Sequence, residues 1–180
     1  MKCNTTKLND LIVIQPTIFE DKRGYFFESY NEDEFIKAGI ICHFIQDNQS
    51  KSQKGVLRGL HFQNPPYAQG KLVRVISGSV LDVAVDIRKD SPTYGKHFSI
   101  ELTEKNKTML WIPPGFAHGF ATLENNTIFS YKCTNLYNKE SEECIFWNDQ
   151  HLKIDWQLNS PILSEKDNKG TPFQEFISLF

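Results

Sequence analysis

The stretch KLVRVISGSVLDVAVDI, residues 71–87, decides the fold. In its first half Leu72 and Ile76 share a face with Arg74, while Val73 and Val75 share the other with Lys71. In its second half Leu81, Val83, Val85 and Ile87 alternate with Asp82, Ala84 and Asp86. A period of two is what a pleated strand with two unlike faces produces. Ser77-Gly78-Ser79 between the halves supplies turn chemistry, so the stretch predicts two strands joined by a turn.

The same pattern continues outward. Phe98, Ile100 and Leu102 alternate with Ser99 and Glu101, and residues 109–112, 118–123 and 127–134 complete the series. Asp90-Ser91-Pro92, Pro113-Pro114-Gly115 and Glu124-Asn125-Asn126 break it at turns. Many short strands at this spacing, from Val56 to Thr134, predict an all-β antiparallel sandwich or barrel. Upstream, Leu11-Ile12-Val13-Ile14 reads as a short strand stopped by Pro16, and a second strand is expected from Gly24 to about Tyr30. A helix follows, with Asn31 as N-cap, Glu34 three residues on and Gly39 as terminator. Beyond Leu152 the chain looks irregular, with one helix start at Ser164.

The chain has 180 residues and no repeat or flexible linker, so one domain over residues 1–180 is expected. Such a chain buries on the order of 70% of its unfolded surface. Its 14 Phe favour pleated, half-buried surfaces. Twenty Lys and Arg against 22 Asp and Glu give a net charge of -2, which argues against a nucleic-acid partner held by general basicity. No apolar run is long enough to span a membrane, and the start Met1-Lys2-Cys3-Asn4 lacks the apolar core expected of a signal peptide. Cys3, Cys42, Cys133 and Cys144 are widely spaced and form no C-x-x-C pair. They read as reduced thiols, and the cytoplasm is the expected address.

Histidine is the first suspect for chemistry because its ordinary pKa lies near neutrality. Of five, His61 follows Leu57-Arg58-Gly59-Leu60 and His118 ends Pro113-Pro114-Gly115-Phe116-Ala117-His118. The order Gly-x-His, Gly78, Pro-x-Gly-x-x-His resembles small barrels of the cupin type. Metal-binding cupins use His-x-His and a downstream Glu; this chain has His61-Phe62-Gln63 and no Glu before Gly78. Two histidines without a carboxylate partner make a poor zinc or iron site, so no metal and no cofactor are expected.

What remains is Gln46, Asn48, Arg58, His61, Lys71, His118 and Tyr131, polar groups set in apolar strands that need partners when buried. Singly, Arg58 and Lys71 read equally well as solvated outer-face residues, and Tyr131 as a core aromatic. Facing one interior, the group forms a cationic pocket with a base, a phenol and amides. That suits a phosphorylated ligand with an enolisable carbonyl.

Seven blocks, in order, carry a more specific resemblance. They are Asp21-Lys22-Arg23-Gly24-Tyr25-Phe26-Phe27-Glu28-Ser29, Gln46-Asp47-Asn48, Gly55-Val56-Leu57-Arg58-Gly59-Leu60-His61-Phe62-Gln63, Gln69-Gly70-Lys71-Leu72-Val73-Arg74-Val75, residues 114–120, Tyr131-Lys132-Cys133-Thr134 and Leu163-Ser164-Glu165-Lys166-Asp167. Together they resemble the dTDP-4-dehydrorhamnose 3,5-epimerase family. The resemblance implies a cupin-type jelly-roll barrel acting on a dTDP-linked 4-keto-6-deoxy sugar, inverting C3 and C5 beside the ketone. It makes His61 the base, Asp167 its orienting carboxylate, Lys71 the enolate stabiliser and Tyr131 the acid on the opposite face. Spacing alone gives Asp167 another role, a capping box with Ser164. The resemblance also assigns Arg23 and Arg58 to the diphosphate, and Glu28, Gln46, Asn48 and His118 to nucleotide and sugar. Glu142 and Lys166 follow as further contacts, and Phe26 or Tyr137 stacks on the thymine. It implies a homodimer with exchanged N-terminal strands, in which Arg23 and Glu28 complete the partner's site. Rival readings are a single-centre epimerase, a 3,4-ketoisomerase, or a non-catalytic jelly roll that binds sugar nucleotides.

Overall fold

A computed structural model describes residues 1–180. Thirteen strands form: β1 (Lys2–Thr5), β2 (Ile12–Gln15), β3 (Phe19–Asp21), β4 (Gly24–Phe26), β5 (Gln46–Ser52), β6 (Leu57–Gln63), β7 (Lys71–Ser77), β8 (Ser79–Asp86), β9 (His97–Thr103), β10 (Met109–Ile112), β11 (Phe116–Thr122), β12 (Thr127–Cys133) and β13 (Glu142–Cys144). Two short helices, α1 (Glu32–Lys37) and α2 (Glu165–Asn168), complete the elements. Neither is long and apolar enough to cross a membrane. The strands pair antiparallel in a six-stranded sheet, β1-β2-β10-β7-β12-β5, and a five-stranded sheet, β13-β6-β11-β8-β9. This is the expected jelly-roll barrel. The β3–β4 hairpin stands apart as a two-stranded sheet.

Alternation along the strands sorts residues into three apolar layers. Val73, Val75, Leu110, Phe116, Phe120 and Phe129, drawn from both sheets, meet in the barrel interior. Leu57, Leu60, Phe62, Leu81, Val83 and Val85 pack on the outside of the five-stranded sheet, under Leu152, Trp156 and Phe176 of the C-terminal segment. Leu72, Met109 and Trp111 pack outside the six-stranded sheet with Phe35 and Ile40 of the α1 region. Strand β8 is therefore buried along its whole length. Its polar positions, Asp82 and Asp86, lie on the same face as Val80 and Ala84 of the interior, not in solvent. The C-terminal stretch that reads as irregular acts as the cover of one sheet.

Helix α1 forms as expected. The Asn31 side chain accepts the Glu34 N–H, acidic residues fill the first turn and Lys37 the last, and Gly39 sits at φ +82 just beyond the end. Only half of a capping box is made, because the Glu34 carboxylate accepts from Lys37 instead. The strand expected from Gly24 to Tyr30 stops at Phe26, since β4 has only β3 as a ladder partner.

The far end of β8 is pinned by Asp86. Its carboxylate accepts from the Arg88 backbone and side chain, from Ser91 Oγ and from Thr93 Oγ1, while Arg88 also reaches Asp10 at 2.8 Å. Burial alone would raise this carboxyl; the Arg88, Ser91 and Thr93 donors outweigh it and hold the pKa below the ordinary aspartate value. A depressed folded-state pKa contributes stability above the unfolded value, about 3.9, and that contribution is lost as pH falls through the folded value. Asp86→Asn should therefore cost about 3 kcal/mol at pH 7. The gap to wild type should close progressively below pH ~4 in urea unfolding. A gap independent of pH would mean that the carboxylate's charge is not what pins the turn.

Candidate active site

Helix α2 begins at Ser164, whose Oγ accepts the Asp167 N–H at 3.2 Å and donates its own proton to Asp167 Oδ2 at 2.6 Å. Oδ2 also accepts the Ser164 N–H at 3.3 Å, completing the capping box. The other oxygen faces the barrel. Asp167 Oδ1 accepts the Gly59 N–H at 3.1 Å and lies 2.7 Å from His61 Nε2. The two roles that spacing and resemblance set against each other are performed together, one by each oxygen. The His61 contact is close but lies off the straight line of an N–H···O bond.

Gly59 makes this geometry accessible. At φ +133, a Cβ there would lie 2.4 Å from the Gly119 Cα on β11, so only glycine lets β6 pass this close. Leu60 and Phe62 turn outward to the covered face of the sheet, which leaves His61 and Gln63 facing the interior.

Burial opposes ionisation of Asp167, but His61 and then Ser164 outweigh it and bring the carboxyl down to about 2. Burial pushes the His61 imidazole below its ordinary value, against the pull of Asp167 and with help from Lys166 and Lys71. A charged carboxylate thus stands behind a neutral imidazole at pH 7, the state a general base requires.

His61 opens into a cleft of about 310 Å³, whose walls carry Gln46, Asn48, Gln63, Lys71, Tyr131 and Glu142. His61 belongs to the five-stranded sheet; Lys71 and Tyr131 belong to the six-stranded one, so they occupy opposite walls. Burial lowers the Lys71 amine, with Cys133, Glu142 and Asp82 pulling the other way. Burial also raises the Tyr131 phenol, which keeps its proton and can donate it. Arg58 is near enough to act on Tyr131 through space, and its Nε donates to Ser52 Oγ at 3.3 Å. At the rim Glu142 is salt-bridged to Lys166 and accepts from Tyr137 Oη at 3.1 Å. Gln46 accepts the Tyr137 N–H at 2.9 Å and donates to Asn48 at 3.1 Å.

Arg58 is exposed and does not line the cleft, and four further expected site residues are placed elsewhere. Arg23 and Phe26 are exposed on the β3–β4 hairpin, where Arg23 is tied to Asp21, and Glu28 follows it; none lines the His61 cleft. His118 is buried directly across from His61 in the β6–β11 register, but its Nε2 is 2.9 Å from Asp82 Oδ2 and it lines no part of the cleft. Sequence reasoning missed Gln63 and Gln69, which line the cleft, and Asp82, which holds His118. Asp82 carried a signal, being the one acidic residue between apolar neighbours in the middle of β8.

The chain matches the family model for dTDP-4-dehydrorhamnose 3,5-epimerase over residues 5–175. It belongs to that family. The family's enzyme from Shigella flexneri is 52% identical, covering 93% of each chain. The crystal structure of the family member from Elizabethkingia anophelis NUHP1 is 50% identical with a TM-score of 0.93, covering 98% of this chain and 99% of that one. The dTDP-6-deoxy-D-glucose-3,5-epimerase of Legionella pneumophila, solved in complex with dTDP-4-keto-L-rhamnose, is 46% identical with a TM-score of 0.93 over 96% of this chain and 93% of that one.

Ser164 touches the site only through Asp167. Ser164→Ala should cost about 1 kcal/mol of stability as a lost cap. It should also lower kcat with KM little changed, since the carboxylate behind His61 loses a constraint. An unchanged kcat in a measurably destabilised variant would show that the cap does not help aim Asp167.

Proposed function

We infer that this chain inverts C3 and C5 of dTDP-4-dehydro-6-deoxy-D-glucose to give dTDP-4-dehydro-L-rhamnose. The observation that carries this reading is the placing of a neutral imidazole and a protonated phenol on opposite walls of one cleft, with a lysine beside the phenol. The C–H bonds next to the C4 ketone are the acidic ones in such a sugar. His61 takes the proton, the C–H electrons move onto the ketone oxygen as an enolate, and Lys71 stabilises that charge. Tyr131 then protonates the carbon from the opposite face, and the configuration inverts. Solvent restores the phenol proton and removes the imidazole proton before the second inversion.

Gln46, Asn48 and the Glu142–Lys166 pair hold the sugar and nucleotide, and Arg58 receives the diphosphate, for which a guanidinium fork is suited. His118, paired with Asp82, supports β6 from behind rather than touching the sugar. Two chains form a dimer in which the β3–β4 hairpin crosses to the neighbour, bringing Arg23, Phe26 and Glu28 to its site. The hairpin's isolation from both sheets and the exposure of Phe19, Tyr25 and Phe26 support this exchange. Four free, separated thiols support a cytoplasmic address.

Two variants test the chemistry by solvent-deuterium exchange. His61→Ala should abolish exchange at C3 and C5 with ligand affinity little changed, because the base acts on the transition state. Tyr131→Phe should still wash in deuterium, since His61 returns a deuteron to the face it came from, while net inversion falls ~10²–10⁴-fold. A His61→Ala protein that exchanges both protons, or a fully active Tyr131→Phe, sinks the assignment. Exchange at one carbon alone would make the enzyme a single-centre epimerase. The shared site has its own test: mixing inactive Arg23→Ala with inactive His61→Ala under subunit exchange should restore activity. A mixture that stays dead although both proteins fold would place Arg23 outside the neighbour's site.

A further inference from the structure

Cys144 is the cysteine that the proposed reaction leaves unused beside its base. It lies opposite His61 in the β6–β13 register, and its sulfur is within 4.8 Å of donor atoms of both His61 and Asp167. The thiol is half-buried and makes only a weak 3.5 Å hydrogen bond to the Ile145 carbonyl. Three donor atoms of three kinds thus converge from β6, β13 and α2. One of them, His61 Nε2, is buried without a straight hydrogen bond despite the nearby carboxylate.

We propose that His61, Asp167 and Cys144 form an inhibitory site for a thiophilic divalent cation of the Zn²⁺ class, whose binding removes the base from the reaction. Imidazole nitrogen, thiolate sulfur and carboxylate oxygen are the donors Zn²⁺ prefers, and three of them leave a fourth position for water. Zinc–sulfur bonds of ~2.3 Å and zinc–nitrogen or zinc–oxygen bonds of ~2.0–2.2 Å put tetrahedral donors roughly 3.3–3.5 Å apart. The 2.7 Å His61–Asp167 approach opens slightly, and the sulfur closes from at most 4.8 Å. Side-chain rotation accomplishes both. On binding, the metal replaces the thiol proton, which leaves to solvent, and no electron is transferred. With the metal on Nε2, the one proton of the neutral imidazole sits on Nδ1, so no lone pair is left to accept a substrate proton. This set differs from the ligands of metal-binding cupins, sharing only His61 with them.

The test uses the full-length protein with Zn²⁺ and, as a spectroscopic probe, Co²⁺. Zn²⁺ should inhibit the wild-type epimerase reaction. Cys144→Ser should keep basal activity and raise the half-inhibitory Zn²⁺ concentration at least ~10-fold, since loss of even an outer-shell partner costs 10–100-fold in metal affinity. Co²⁺ should give the wild type a near-ultraviolet thiolate-to-cobalt band, a readout independent of activity. The band should persist in Cys3→Ser and Cys42→Ser and vanish in Cys144→Ser. Cys144→Ala, checked for folding by circular dichroism, serves if the serine variant misfolds. An absent wild-type band, a band retained without Cys144, or unchanged Zn²⁺ inhibition in the Cys144 variants overturns the proposal.

Discussion

The site hangs on a single carboxylate, Asp167, which accepts on both of its oxygens from two distant parts of the chain. One oxygen closes the first turn of α2 through Ser164; the other holds the Gly59 N–H and stands against His61. A helix of four residues has almost no stability of its own, because its nucleus is costly and its length gives little return. It persists because Asp167 fastens it to β6, and Asp167 stays ionised in a buried place because His61, then Ser164 at the start of α2, outweigh burial. Each requirement explains the other.

The barrel divides its interior between packing and chemistry by simple alternation. Along β12, Phe129 and Tyr131 point the same way, one into the apolar interior and the next into the cleft. Along β7, Lys71 shares its face with Val73 and Val75. Polar groups gather at one end of the interior, while Phe116, Phe120 and Phe129 fill the rest. This arrangement needs both outer faces covered, since the strands that carry the site also carry Leu60, Phe62 and Leu72 on their other side. The C-terminal segment and the α1 region provide those covers.

The fold was legible because period-two patterning survives even where both faces are buried. Residues 71–87 gave two strands and their turn, and Asn31 gave α1 with its cap. Gly24 to Tyr30 misled because apolar aromatic sequence signals a strand without saying whether a partner strand is within reach. Asp82 and Asp86 were harder still: an acidic residue alternating with valines looks solvent-facing until the opposite sheet is in place. His61, Lys71 and Tyr131 stood out as polar groups in apolar strands, Asp167 entered only through family resemblance, and in the structure His61, Lys71 and Tyr131 line one cleft with Asp167 behind His61. Cys144 had no local signal, since its position beside the base comes entirely from cross-strand register with His61.

Charge engagement around the cleft explains how a chain of net charge -2 presents a cationic pocket. Glu142 is occupied by Lys166 and Tyr137, Asp82 by His118, and Asp167 by His61, Gly59 and Ser164. Each nearby carboxylate already has partners of its own. Lys71 has no ion pair within the chain, and Arg58 has only the neutral Ser52 hydroxyl. Lys71 is buried, where low dielectric strengthens its attraction for any anion, and the exposed Arg58 is likewise uncommitted. Overall composition conceals this, because the field in a cleft depends on which charges remain uncommitted there, whatever the sum over the surface.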